Sequence, residues 1–103
     1  MRLKNRVAII TGAGKGIGEG IALCFAEEGA KVVVNDVIEA EARQTVESIK
    51  SKGGKAVAGI GNVTSRDVVQ KIVDTAVQEF GTVDILVNNA GIARPQSLEE
   101  IRE

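Results

Sequence analysis

Apolar and polar positions alternate along the chain in two periods, and their order predicts the architecture. "VAII" and the threonine after it (residues 7–11) make a short β-branched run that stops at glycines, as a buried strand does. Ile17, Ile21, Cys24, Phe25 and Glu28 then recur at helical spacing up to Gly29, which predicts a first helix with Cys24 as a small buried hydrophobe. "KVVVND" (31–36) is a continuous apolar strand, the kind covered on both faces in a parallel sheet. A second helix follows, with Ala42, Val46 and Ile49 on one face, Glu39, Glu41, Arg43, Glu47 and Lys50 around the rest, and "KGG" closing it.

The second half repeats the alternation. "KAVAGIGNV" (55–63) is a strand diluted by glycine, and Thr64 is the expected cap of a third helix that carries Asp67 three residues on. Its inner stripe reads Val68, Ile72, Val73, Ala76, Val77 and Phe80, with Gly81 as its stop. "VDILVN" (83–88) is the fourth strand, and "SLEEIRE" opens like a capped helix with Ser97 as cap and Glu100 at the reciprocal position.

Strands alternating with helices require right-handed crossovers and a parallel sheet with helices on both faces. The expected fold is therefore α/β: a partial doubly wound sheet of about four strands, three full helices and the start of a fourth. No linker, repeat or low-complexity segment interrupts residues 1–103, which read as a single, incomplete dinucleotide-binding domain.

Composition narrows the partners. A chain of 103 residues with 44% hydrophobic and 26% charged side chains and a net charge of -1 has ordinary globular character and lacks the basic footprint of a nucleic-acid binder. One cysteine excludes an internal disulfide and fits a reducing compartment. The apolar run behind "MRLKNR" is too short for a signal-peptide core and no run approaches a membrane span, so the expectation is a cytoplasmic protein with no membrane or nucleic-acid partner. The chain also contains no histidine and no tyrosine, two common general acid/base side chains.

The candidate chemistry sits where strands end. "TGAGKGIG" (11–18) joins the first strand to the first helix, so its backbone N–H groups and the positive helix end make an anion site suited to a pyrophosphate. Gly12, Gly16 and Gly18 read G-x-x-x-G-x-G; no register gives the P-loop, because position 9 is isoleucine and position 16 is glycine. The alternative is a turn that merely lets the helix pack closely. Asp36 ends the second strand, where a carboxylate can hold ribose hydroxyls and repel the extra phosphate of NADP, or stand solvated with no ligand. "NNAG" (88–91) follows the fourth strand and supplies amides and a glycine beside the first.

These motifs together resemble the short-chain dehydrogenase/reductase family, a Rossmann-type fold, along the whole chain. "TGAGKGIG" is similar to the family's T-G-x-x-x-G-x-G turn, "NNAG" to its N-N-A-G element, and "GNVTS" to the place where an Asp or Asn and an aliphatic residue meet the adenine. The resemblance implies that Gly12, Gly14, Lys15, Gly16, Ile17 and Gly18 surround the pyrophosphate, and that Asp36 and Val37 hold the adenosine ribose. Asn62 and Val63 would meet the adenine, and Asn89, Ala90, Gly91 and Ile92 would line the cofactor along the fourth strand. Lys15 matches a basic position of NADP users, whereas Asp36 matches NAD users; Asp36 is given the greater weight, so NAD is expected rather than NADP. No metal site is expected.

The family's catalysis implies a tyrosine, a lysine four residues after it, a serine and a fourth-helix asparagine. All of these positions would lie beyond Glu103, so no catalytic residue is assigned and the chain alone is not expected to turn over. Three readings remain open: the NAD(P)-binding part of an oxidoreductase truncated before its catalytic residues, a dinucleotide-binding or sensing module without turnover, and a structural piece that pairs with another chain. In each, self-association or a complementary chain is expected at the exposed fourth strand.

Overall fold

In the computed structural model, which describes residues 2–89, the chain runs β1 (Val7–Ile10), α1 (Gly16–Glu27), β2 (Lys31–Asp36), α2 (Glu39–Ser51), β3 (Lys55–Ile60), α3 (Arg66–Phe80) and β4 (Ile85–Val87). The strands form one parallel sheet in the order β3-β2-β1-β4. The order reverses at β1, so the crevice at the carboxyl ends of β1 and β4 is a topological switch point. This is the expected partial Rossmann-type fold; the predicted helix opening at Ser97 lies outside the described residues.

The period of two in the strands sorts the core onto two faces. Ala8, Ile10, Val32, Val34 and Ala56 point to one side, where they pack with Ala22 of α1 and Ala42, Val46 and Ile49 of α2. Val7, Ile9 and Val33 point to the other and meet Ile72 and Ala76 of α3. Val32, Val33 and Val34 are all fully buried, which is why "KVVVND" shows no alternation. Burial of each contributes roughly 1.5–3 kcal/mol. The register of β4 on β1 has a polar fastening: the Val7 N–H donates to Asp84 Oδ2 (2.9 Å), and the Asp84 N–H donates to the Val7 carbonyl (2.9 Å).

Three details correct the sequence reading. Cys24 is exposed rather than buried. The inner residues of α1 are Gly18 and Ala22, and a position two residues from Ala22 is turned by about 200° around the helix, away from the sheet. Small residues let α1 lie close on the strands, so its larger side chains Ile21, Leu23 and Phe25 flank the contact half-buried. The cap of α3 is Ser65, whose side chain accepts from the Val68 N–H, and Thr64 instead bonds back to Asn62. Val77, placed on the inner stripe, is 49% exposed. Gly81 does stop α3, in the left-handed conformation.

Candidate functional site

The turn between β1 and α1 is held from three sides. From β2, the Asn35 carbonyl accepts the Ala13 N–H (2.7 Å) and Asn35 Oδ1 accepts the Gly12 N–H (3.4 Å). From α2, the Thr45 hydroxyl donates to the Gly14 carbonyl (3.2 Å). From the end of β4, Asn89 Nδ2 donates to the Gly12 carbonyl (3.0 Å). A Cβ at position 18 would collide with that carbonyl and with Asn89 Nδ2, so only glycine fits there.

Past this clamped stretch the donors are open. Lys15 is the N-cap of α1 and makes no side-chain capping bond, and Gly16 turns the chain into the helix at φ 63°. Among the described residues no side chain accepts from the backbone of residues 15–18. The first turn of α1 therefore presents N–H groups at its positive end that have no acceptor among the described residues.

Asp36 is not a free strand-end carboxylate. Its Oδ2 accepts the Gly14 N–H (2.9 Å) and its Oδ1 accepts the Ile38 N–H (3.2 Å), which fixes the carboxylate against the glycine turn. Asp36 and Val37 line a cleft of about 120 Å³ together with Asn62 and Val63 from the β3–α3 loop and Gly12 from the turn. Asn62 Oδ1 accepts from both the Thr64 N–H and its hydroxyl (2.9 Å each), setting the loop's path toward α3. Depressions of about 290 Å³ beside Leu23 and Ile49 and about 350 Å³ beside Arg43 and Glu79 gather none of these residues.

The structure thus places Gly12, Gly14, Lys15, Gly16, Ile17 and Gly18 in one turn and brings Asp36, Val37, Asn62 and Val63 to its side. Asn89 enters as a clamp on the turn; Ala90, Gly91 and Ile92 lie outside the described residues. Asn35, Glu41 and Thr45 belong to this neighbourhood and were missed from sequence. Asn35 looks like the end of the apolar run of β2, and Glu41 and Thr45 sit among the other polar residues of α2, so none of the three stands out in the sequence.

A sequence model of the short chain dehydrogenase family matches residues 6–103. The chain belongs to the short-chain dehydrogenase family. An oxidoreductase of uncharacterized activity from Thermotoga maritima is 50% identical over the whole chain, which covers 40% of that protein. Among solved structures, a short chain dehydrogenase from Mycobacterium avium shares 45% identity at a TM-score of 0.85, over 91% of this chain and 37% of that one. A 7α-hydroxysteroid dehydrogenase complexed with NADH and 7-oxo glycochenodeoxycholic acid shares 46% identity at a TM-score of 0.82, over 84% and 34%. The short-chain dehydrogenases use nicotinamide dinucleotides, and the chain spans about two fifths of the length of such relatives. No helix among the described residues is long and apolar enough to cross a membrane.

Proposed function

We propose that this chain is the NAD-binding part of an oxidoreductase that transfers hydride between the nicotinamide and an alcohol or carbonyl substrate. The carrying observation is the meeting of Gly12, Asp36, Val37, Asn62 and Val63 at one cleft beside the open N-terminus of α1. The fit to a dinucleotide is chemical. Open N–H groups at residues 16–18 suit a pyrophosphate, and a carboxylate already oriented by the Gly14 and Ile38 amides suits ribose hydroxyls. Val37, 59% exposed, and the half-buried Val63 offer apolar surface to a base.

When bound, the dinucleotide supplies or accepts the hydride; the residues described here bind and orient it and do not move a proton. The solved relative with NADH supports the NAD assignment. The single cysteine fits a reducing, cytoplasmic setting. The outer edge of β4, unpaired among the described residues, is the surface through which the chain associates with a second copy or a complementary chain.

Titration of the chain with NADH and NADPH, read by calorimetry, tests the assignment. Binding is expected to be weak, since this part contacts mainly the adenosine and pyrophosphate, and NADH is expected to bind more tightly. Asp36→Ala is expected to weaken NADH roughly tenfold, the scale of a lost charge-assisted hydrogen bond, and to narrow the preference. Tighter NADPH binding by the wild type would reverse the assignment and make Lys15 the deciding residue.

A further inference from the structure

Beside the glycine turn, the cation that matches NADP users is already engaged. Lys15 Nζ lies 3.7 Å from Glu41 Oε1; the lysine side chain is 75% exposed, whereas the glutamate side chain is 25% exposed. Glu41 Oε1 itself is buried and accepts no hydrogen bond among the described residues. A buried carboxylate oxygen without a donor is costly, and the Lys15 ammonium is the charge that offsets this cost.

The pair sits at the cofactor-selecting corner. A Cβ at Gly14 would come within 2.7 Å of Asp36 Oδ2 and 2.8 Å of Glu41 Cβ, so the two acidic residues flank one point of the turn. Asp36 is tied to that point by the Gly14 N–H, and Glu41 by its place in the first turn of α2. A 2′-phosphate carries about 1.5 to 2 negative charges. Its acceptance next to Asp36 requires a cation that is not already neutralised.

We propose that Glu41 is a specificity-determining residue: it pairs with Lys15 against the glycine turn, withholds that cation from a 2′-phosphate and adds a negative charge of its own, so NAD(H) is favoured over NADP(H). This rests on the reading of the turn as a dinucleotide site. Asp36 excludes the phosphate directly, while Glu41 does so by occupying the one side chain of the turn that could reverse the choice.

The test is a double-mutant cycle on the intact chain, titrated with NADH and NADPH. Glu41→Gln keeps the shape, removes the charge and frees Lys15; it is expected to tighten NADPH about fivefold, the upper scale of an exposed ion pair, and to leave NADH within about twofold. The gain is expected to shrink at high salt and to vanish in the Lys15→Met, Glu41→Gln double variant. An unchanged NADPH/NADH ratio in Glu41→Gln, or a gain that survives loss of Lys15, overturns the inference and leaves the cofactor reading standing. So does a wild-type chain that binds NADPH as tightly as NADH, because Lys15 is then already available. Binding of neither dinucleotide by the wild type overturns the underlying reading and the inference with it. Glu41→Ala, which removes the buried oxygens, guards against failure of the first variant; loss of cooperative unfolding in both assigns Glu41 to folding and overturns the proposal.

Discussion

At the scale of single residues, the buried amide of Asn35 organises more of the site than any glycine. It is 2% exposed, donates through Nδ2 to the carbonyls of Gly59 (2.9 Å) and Gly61 (3.0 Å), and accepts from Gly12 through Oδ1. One side chain therefore ties the turn after β1 to the loop after β3, which carries Asn62 and Val63. Asn35→Ala would leave the buried Gly59 carbonyl without this donor and break the two part-buried bonds to Gly12 and Gly61, and is expected to destabilise the chain by about 2–4 kcal/mol. Asn62→Ala, at an exposed position, is expected to cost less than about 1 kcal/mol. Urea denaturation midpoints of the two variants decide the matter; equal losses would show that the Asn35 bridge carries no special weight. Asn35 was illegible in the sequence because a polar residue before Asp36 looks like the fading of an apolar run. Its donors find acceptors only when β3 closes onto β2.

At the scale of elements, order and type were legible because each strand is short and apolar and each helix ends at glycine. What failed was the rotation of α1 and the cap of α3, and each failure has its own cause. Hydrophobicity ranks Ile17 and Cys24 above Gly18 and Ala22, but close packing against the strands selects for small size, and Ile17 ends 71% exposed. At α3, Thr64 and Ser65 are both able to cap, and Asn62 takes the Thr64 hydroxyl at 2.9 Å, leaving Ser65 to accept from Val68 at 3.4 Å. Ser65→Ala is therefore expected to lower stability by about 0.5–1 kcal/mol through α3. Hydrogen exchange of the Val68 and Val69 amides should speed up in Ser65→Ala and stay unchanged in Thr64→Ala; the opposite pattern would return the cap to Thr64.

At the scale of the whole molecule, among the described residues one face of the sheet is covered by two helices and the other by α3 alone. On the thinner side Leu86 is 65% exposed and Val69 39%, next to a strand whose outer edge has no partner among the described residues. Neither proline nor lysine occupies β4 to deter pairing. Sedimentation over a concentration series is expected to show association that rises with concentration; a monomer at every concentration that unfolds cooperatively would mean that edge and face are already satisfied. The central position of β1 has a further consequence in time. Its contact with β2 closes a loop of 22 residues at Gly14 and Asp36, whereas its contact with the β4 end closes one of 77 at Thr11 and Asn88. A ribosome adds about 5–20 residues per second, so the nascent chain carries β1 with one flank bare for roughly 3 to 10 seconds after β2 has emerged. During synthesis β1 is thus the later of the two interior strands to be flanked on both sides, and in that interval its bare edge is open to pairing with another chain.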